Sequence, residues 1–273
     1  MKTVSISGLC RVAGISRQAH QQAGKRGERT KREQGHVLEA VERERLEQPR
    51  LGTRKLQYLL GQNNVHIGRD RLFALLREHG LLVARKRRRV RTTYYDESLP
   101  VYRNLLYQLE PTRPHHVWVS DVTFIHTDEG FVYLSLITDL ISRRIVGWNA
   151  SATNDAAACL QALHMAIAQL PADRWPIHHS DRGSQYCCHD YIQALRKRHL
   201  PVSMTEQNHC YENCYAERVN GILKDEYHLD GIFRTHAQAR MAIEQAIHTY
   251  NTRRPHESLH MLTPHQAHEQ KAA

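Results

Sequence analysis

Three consecutive segments rich in β-branched and aromatic residues constrain the fold of this chain more than any other feature of its sequence. They cover residues 116–125, 131–141 and 144–150. The turn-like residues 127–130 separate the first two, and the third follows Ser142. Strands joined by such short connections pair with their neighbours. The sequence therefore predicts an antiparallel meander.

The stretch after this meander alternates between helix and strand patterns. The predicted helices cover residues 154–170 and 189–199, a segment that begins near 212, and residues 236–250. The predicted strands cover residues 177–180 and 201–205. In the first helix Leu160, Leu163 and Ile167 share one face, as expected of a helix that packs on a sheet. We predict an α/β domain at residues 114–268, with a mixed five-stranded sheet and flanking helices.

Two helical segments precede this domain. An N-terminal segment at residues 1–30 predicts two short helices around Gly14, with Ser16 as the expected N-cap of the second. A segment at residues 45–84 predicts another helix pair, because two leucine faces are separated by a break at residues 63–64. Both pairs suit a helix-turn-helix, a small all-α DNA-binding unit. A helical packing module without DNA contacts is the alternative.

The charge of the chain favours a polyanionic partner. Lys and Arg total 38 against 28 Asp and Glu, which gives a formal net charge of +10. On the second helix of the 45–84 segment, Arg69 and Arg71 could contact base edges in a major groove. The densest basic run is RKRRRVR at 85–91. We predict that residues 85–113 form a basic linker along DNA phosphates, with a solvated charged surface as the alternative.

Several other classes of protein are disfavoured. No apolar run approaches the roughly 20 residues that a membrane-spanning helix needs, so we expect a soluble, cytoplasmic protein without membrane contacts. We expect no disulfides among the six cysteines. A zinc site stays open, although the spacing of its candidate ligands does not match a zinc finger. These candidates are Cys187, Cys188, His189, His209, Cys210 and Cys214.

Two aspartates occupy positions where a carboxylate needs a partner. Asp121 stands in the middle of the first predicted strand, among apolar residues, where an unpaired carboxylate would be costly to bury. We therefore expect a cation beside it. Asp181 follows the strand at 177–180, and open α/β sheets place their active sites at the carboxyl ends of strands. Arg182 is an alternative partner for Asp181.

Glu217 lies on the helix predicted from residue 212. By helical spacing Gly221, Lys224 and His228 share its face, so this helix offers a carboxylate and a cation to one cleft. Three carboxylates in one site would raise one another's pKa unless divalent cations neutralised them. Hard oxygen ligands favour Mg²⁺, with Mn²⁺ as a substitute. The three acids predict a metal site only as a set, because each alone is an ordinary surface or capping residue.

Four motifs carry a resemblance to a known family. They are WVSDVTFI at 118–125, HSDRGSQY at 179–186, ENCYAERVNGILKDEY at 212–227 and YNTRRPHESLHMLTP at 250–264. With them the chain resembles the DDE transposases of bacterial insertion sequences, of the second-reading-frame type, whose catalytic core is similar to retroviral integrase. The spacing agrees, since 35 residues (182–216) separate Asp181 from Glu217 and 59 residues (122–180) separate Asp121 from Asp181.

The resemblance implies a ribonuclease H-like fold for residues 112–268. It implies that Asp121, Asp181 and Glu217 are the catalytic residues and bind two Mg²⁺ ions, Asp121 bridging both and the other two acids holding one each. One position departs from the family, which usually has an Asp-Asn pair before the catalytic helix. Here the pair is Glu212-Asn213.

DNA contacts in the core are also implied. Lys224 would contact a phosphate near the cut, and an ordinary solvated helix lysine is its alternative role. Weaker candidates for phosphate contacts are Arg253, Arg254 and His256.

The function implied is that of a transposase, which cleaves the ends of an element and joins them to a target during DNA recombination. Its partner would be double-stranded DNA, on which it would act as a homo-oligomer near the bacterial nucleoid. Family members often depend on a protein from an upstream reading frame, so a fusion with such a product is a further expected partner.

Two other functions stay open from the residues alone. A ribonuclease H-like nuclease without strand transfer would need the same three carboxylates. The helix-turn-helix segments and the YNTRRPHESL motif argue against it. A DNA-binding regulator with an inactive core would lack one of the carboxylates, and all three are present.

Overall fold

A computed structural model describes residues 5–84, 102–206 and 213–272. The chain divides into two compact units. The N-terminal unit comprises Met1–Glu47 and Gly52–Val83, and the C-terminal unit comprises Gln48–Leu51 and Ala84–Ala273. The basic run at 85–91 and most of the predicted linker lie outside the described residues. None of the helices in the described ranges is long and apolar enough to cross a membrane.

The N-terminal unit is helical. Its helices are α1 (Ile6–Val12), α2 (Arg17–Glu47), α3 (Thr53–Gln62) and α4 (Arg69–Glu78). The Ser16 side chain accepts a hydrogen bond from the N–H of Ala19 at 3.0 Å, as predicted for an N-cap. The helix that follows is not short, because α2 continues for 31 residues to Glu47. No proline interrupts it before Pro49, which stands just beyond its end.

The predicted helix pair at 52–80 is present as α3 and α4. Leu56 of α3 and Leu72 and Leu76 of α4 are fully buried, as the two leucine faces indicated. Asn63 and Asn64 form the break between the helices, and Asn64 takes a positive φ of 60°. The Asn63 amide donates to the Glu44 carboxylate at 2.9 Å, which ties this break to α2.

The C-terminal unit is built on one mixed sheet. Its strands are β1 (Val117–Thr127), β2 (Gly130–Asp139), β3 (Ile145–Ser151), β4 (Ile177–Ser180), β5 (Val202–Met204) and β6 (Ile232–Phe233). The order is β3-β2-β1-β4-β5, and β6 pairs with the end of β1. The pairs β1–β2 and β2–β3 are antiparallel, whereas β1–β4 and β4–β5 are parallel. The predicted meander and mixed five-stranded sheet are confirmed, and β6 adds a sixth, two-residue strand.

Helices cover both faces of this sheet. They are α5 (Ala156–Ala168), α6 (Ser184–Cys187), α7 (His189–Lys197), α8 (Cys214–Glu226), α9 (His236–Thr252) and α10 (Pro264–Ala272), with a 3₁₀ turn at Glu257–Leu259. One core places Trp118 and Ile137 of the sheet with Leu163 of α5 and Tyr191 of α7. The second core places other sheet residues with side chains of α8 and α9. The two cores follow the alternation of strand side chains between the faces of a sheet.

Close contact between α5 and β3 depends on one glycine. A Cβ atom added to Gly147 of β3 would lie 2.2 Å from the carbonyl oxygen of Ala162 and 2.9 Å from the Cβ of Ala166, both on α5. The Ala162 carbonyl belongs to the backbone of α5, so it cannot make room for a Cβ atom unless the helix moves. Gly147 therefore sets how closely α5 approaches the sheet.

We expect Gly147→Ala to lower the free energy of unfolding by about 1–3 kcal/mol, the usual cost of overpacking. Gly221→Ala on α8 is the matched control, because a Cβ there meets nothing within 4 Å. This control should be neutral or stabilising by up to about 1 kcal/mol, since alanine favours a helix. Urea unfolding followed by circular dichroism measures both. Equal stabilities of the two variants would contradict the packing argument.

Candidate active site

The candidate site lies where one edge of β1 has no neighbouring strand. β4 pairs with β1 only at Val117–Val119, and β6 pairs with it only at His126–Thr127. Between them, residues 120–125 of β1 face this edge without a strand partner in the described part of the chain. Asp121 stands at the start of this opening, and Asp181 follows the end of β4 directly. The topology therefore brings the two predicted aspartates to one place.

Asp121 is half-buried and tightly held. The side-chain amide of Asn220 on α8 donates to its Oδ2 at 2.7 Å, and the Val122 N–H donates to its Oδ1 at 2.9 Å. Burial and the charge of Asp181 raise the pKa of Asp121 from 3.8 to about 7, with a smaller contribution from Glu217, against the two hydrogen bonds that lower it. The charges of the other two predicted carboxylates, Asp181 and Glu217, thus both act on Asp121.

The described surroundings of Asp121 contain no cationic side chain. Its hydrogen-bond partners are an amide and a backbone N–H, and the charges that act on it are those of two carboxylates, so none of these is the cationic partner that the sequence predicted. Oxygen ligands of this kind suit a divalent ion such as Mg²⁺. In the described ranges no three His, Cys, Asp or Glu side chains are arranged to hold a single ion.

Asp181 is oriented by the turn that follows β4. Its Oδ1 accepts a hydrogen bond from the Gly183 N–H at 3.0 Å. Arg182, the alternative partner, directs its guanidinium to the backbone: Nε donates to the carbonyl of Thr205 at 2.7 Å and Nη2 to that of Glu206 at 2.6 Å. Arg182 thereby ties the end of β4 to the end of β5 beside the site.

Helix α8 is attached to β1 on both sides of Glu217. Asn213, which is buried at its N-terminus, donates from Nδ2 to the Ser120 carbonyl at 3.1 Å. Asn220 donates to Asp121, as described above. The spacing of 213, 217 and 220 places all three on one helical face. Glu217 is therefore positioned by two amides that bind adjacent residues of β1.

A buried polar cluster supports β1 and β4 beneath the opening. The Nε2 atom of His178 lies 2.8 Å from Ser120 Oγ and 2.9 Å from Tyr191 Oη. Burial lowers the pKa of His178 to about 3, so the imidazole is neutral at physiological pH. This cluster joins the residue before Asp121 to β4 and α7 without adding charge to the site.

Of the residues predicted to share the helical face of Glu217, Lys224 lies beside the opening and His228 does not share the face. Lys224 places its Nζ 4.7 Å from the centroid of the Phe124 ring, a cation–π contact beside the opening. His228, also predicted on this face, lies beyond the end of α8 at Glu226 and has a φ of 58°. The helix ends before it, so His228 does not share the face.

The predicted DNA contacts divide into exposed and buried residues. On α4, Arg69 lies 2.8 Å from Asp70 and Arg71 lies 3.5 Å from Glu33, and both guanidinium side chains are more than half exposed. Arg253 is also exposed. These three remain accessible to a phosphate.

Arg254 and His256 are buried, which corrects their prediction as phosphate contacts. Arg254 is 1% exposed and donates from Nε and Nη2 to the two carboxylate oxygens of Glu226 at 2.7 and 2.6 Å. His256 is 7% exposed and packs edge-on against Tyr250. Both side chains hold the C-terminal segment against α8 and α9.

The candidate zinc ligands are not gathered in the described part of the chain. Cys187 is buried with its sulfur 3.8 Å from that of Met204, and Cys188 lies near the carbonyl of Gln185. Among the described residues the cysteines are free thiols. His209 and Cys210 fall outside the described residues, as does Glu212, where the chain departs from the family motif.

Comparison with known proteins agrees with this geometry. The sequence matches the family described as Integrase core domain in two blocks, residues 111–210 and 198–264. It is 38% identical over 215 residues to the "Insertion element IS600 uncharacterized 31 kDa protein" of Shigella sonnei, a match that covers 78% of this chain and 79% of that protein. It is 31% identical over 217 residues to the "Transposase for insertion sequence element IS629" of Shigella sonnei, covering 79% and 73%.

A solved structure shares the fold. The chain is similar to a chain of the simian T-cell lymphotropic virus intasome, solved in complex with PP2A regulatory subunit B56 gamma, with a TM-score of 0.50 and 18% identity. The match covers 80% of this chain and 70% of that one. At this identity the likeness concerns the fold alone. The predicted ribonuclease H-like core with helical segments before it is confirmed.

Asp121 should make stability depend on pH when divalent ions are removed. The pKa of Asp121 is about 7 in the folded chain and has its ordinary value of 3.8 in the unfolded chain. Between pH 4 and 7 the folded chain therefore keeps a proton on Asp121 that the unfolded chain has released. The stabilisation of the folded state by this proton is present at low pH and is lost as the pH rises through about 7. In a chelating buffer, the melting temperature of Asp121→Asn minus that of the native chain should therefore increase as the pH rises from 5 to 8.

The control for this experiment is Asp190→Asn, because the Asp190 side chain is 85% exposed. Its melting temperature should follow that of the native chain at every pH. Scanning fluorimetry at five pH values measures all three proteins. A constant difference between Asp121→Asn and the native chain across this range would show that Asp121 does not titrate there.

Arg254→Leu should destabilise the chain by about 3–5 kcal/mol, because it removes the buried guanidinium that forms two hydrogen bonds with the largely buried Glu226 carboxylate. Arg253→Leu, the exposed neighbour, should change stability by no more than about 0.5 kcal/mol. Urea unfolding gives both values, and a mobility-shift assay gives DNA affinity. Equal stability of the two variants, with weaker DNA binding in Arg254→Leu, would restore the phosphate-contact role.

Proposed function

This chain belongs to the insertion-sequence transposases with an integrase core, and on that premise we propose that Asp121, Asp181 and Glu217 are its catalytic, metal-binding carboxylates. The family acts in DNA transposition by polynucleotidyl transfer, with integrase-type catalysis. The observation that carries the proposal is the geometry at the open edge of β1, where Asn220 of α8 holds Asp121, Asp181 follows the end of β4, and Glu217 lies on α8 between the two asparagines that bind β1. Burial and the charges of Asp181 and, to a smaller extent, Glu217 raise the pKa of Asp121 there.

The cofactor we propose is Mg²⁺, with Mn²⁺ as a substitute, at two ions per site. When bound, such ions would activate a water or a DNA 3′-hydroxyl and stabilise the leaving oxygen. Asp121 would bridge the two ions, and Asp181 and Glu217 would each hold one. Two divalent ions would neutralise carboxylates that otherwise repel one another.

The protein's own contribution is to position these acids before DNA arrives. The Asn220 amide holds Oδ2 of Asp121, and Asn213 fixes the N-terminus of α8, so Glu217 has a defined place relative to β1. The Gly183 N–H orients Asp181 in the same way. Groups held in place before reaction cost less reorganisation when charge develops on a phosphate.

DNA is the substrate we propose, both as element ends and as target duplex. Lys224, beside the opening, would contact a phosphate near the cut, and Arg253 would be a further phosphate contact. In the N-terminal unit, Arg69 and Arg71 on α4 would contact DNA. We also propose that the chain works as a homo-oligomer on DNA at the nucleoid, and that a protein from an upstream frame is a partner.

Strand-transfer assays with single variants test the proposal. Asp121→Asn, Asp181→Asn and Glu217→Gln should each reduce cleavage and joining about a thousandfold or more, since metal catalysis supplies several kcal/mol of transition-state stabilisation. DNA affinity in a mobility-shift assay should change little. The substrates are labelled duplexes taken from the DNA on either side of the gene, with a circular plasmid as target, and Mg²⁺ is supplied.

Asp190→Asn is again the matched control and should cleave and join like the native chain. Full activity in any one of the three variants would remove that residue from the site. Cleavage without joined products in the native chain would indicate a nuclease rather than a transposase. Binding without cleavage or joining would indicate a DNA-binding regulator.

A further inference from the structure

The β1–β2 hairpin carries a cluster of four rings on one side, beyond the candidate active site. We call Phe124 and His126 of β1 and Phe131 and Tyr133 of β2 the aromatic surface. Phe124 is paired with Tyr133 and His126 with Phe131 across the two strands. The ring centroids lie 5.4 Å apart for Phe124–His126, 5.3 Å for Phe124–Phe131, 4.9 Å for His126–Phe131 and 6.2 Å for Phe131–Tyr133. The rings therefore form one continuous patch.

Two rings of this patch, Phe124 and Tyr133, are half-buried, and the other two are exposed, whereas the opposite side of the same hairpin is buried. Phe131 is 43% exposed and His126 is exposed, whereas Ile125 and Val132, which point to the opposite side, are fully buried. Single exposed apolar residues are common on protein surfaces. Contiguous ones mark surfaces that contact another molecule. The aromatic surface therefore suits a partner with a flat, apolar face.

The position of the aromatic surface points to DNA as that partner. Asp121 and Phe124 project to opposite faces of the sheet, because they are three residues apart on β1. Helix α8 contacts both of them at the open edge of β1: Asn220 binds Asp121, and Lys224, four residues later, contacts the Phe124 ring. Four residues span about 6 Å along a helix at roughly 1.5 Å per residue, which corresponds to about two stacked nucleotides at roughly 3.4 Å each. A strand that follows this edge, with a phosphate at the carboxylates, thus has bases within reach of Phe124.

The two ends of the aromatic surface lie beside charges of opposite sign. The Lys224 ammonium lies 4.7 Å from the Phe124 ring centroid, on the part of the surface nearer to Asp121. The acids Asp128 and Glu129 lie in the turn at the far end of the hairpin. Glu129 there accepts a hydrogen bond from the His236 N–H at 2.7 Å. A phosphate is favoured beside Lys224, and only an uncharged group such as a base is favoured further along.

We infer that the aromatic surface binds an unpaired base of the DNA strand that is cut or joined at the neighbouring carboxylates. The inference rests on the proposed function, because it needs a DNA strand at Asp121. Stacking on protein rings tolerates any base, since every base has a π-face. The surface would therefore hold the strand end open rather than read its sequence.

Fluorescent DNA tests this inference with the full-length chain. Duplexes carry 2-aminopurine at one of the first four positions beside the cleavage point, and binding is measured in a chelating buffer so that no chemistry occurs. The native chain should change 2-aminopurine emission at one or two adjacent positions. Phe131→Leu and His126→Leu should abolish that change and weaken binding to an end with unpaired bases by about 5- to 150-fold.

Two further variants separate base stacking from folding. Phe131→Tyr keeps a ring and should retain the emission change. Trp175→Leu removes an aromatic side chain that is 55% exposed outside the aromatic surface, and it should bind like the native chain. Melting temperatures of all variants show whether a loss of signal reflects unfolding. A loss in folded Phe131→Leu, with recovery in Phe131→Tyr, supports the inference.

Other outcomes overturn it. An unchanged emission response in folded Phe131→Leu and His126→Leu would show that no base stacks there. A change of oligomeric state in these variants by light scattering, with the emission response intact, would assign the surface to a second copy of the chain. Joined products without any emission change in the native chain would overturn only this inference. A native chain that neither binds nor joins DNA would overturn the proposed function as well.

Discussion

The short pairing between β1 and β4 is the constraint on which the candidate site depends. Parallel pairing ends at Val119, so the next residues of β1 have backbone and side chains at an open edge inside a sheet that is otherwise continuous. A carboxylate at Asp121 can therefore be surrounded by protein and still be reached from outside. If β4 continued for two more residues, the sheet would close over this position, and Asp181 would be carried away from it.

Helix α8 adds to this opening without blocking it. Its apolar residues Val219, Ile222 and Leu223 are packed in the core, whereas its two asparagines reach back to β1. An amide can donate to a carboxylate without cancelling its charge, which a lysine or arginine in the same place would do. The choice of asparagine at position 220 thus orients Asp121 without placing a compensating positive charge on it.

The sequence was sufficient for the strands and for the placement of the three acids, because β-branched runs and strand ends are local patterns. It was insufficient where a partner is distant in sequence or a pattern is weak. Asn220 is an ordinary polar residue on a helix until its contact with Asp121, 99 residues away, is known. The length of α2 was missed because its first half is polar and exposed and has no apolar period. β6 has two residues, too few for any strand pattern.

The buried pair of Arg254 and Glu226 has a consequence for how variants of this chain are understood in cells. A basic residue inside a conspicuous motif invites the conclusion that it acts on DNA, and its loss would abolish transposition in a colony assay. Since the guanidinium is enclosed, that loss would act through the amount of folded protein, which quality control lowers when stability falls by a few kcal/mol. Transposition frequencies therefore describe the chemistry of this chain only after division by its cellular abundance.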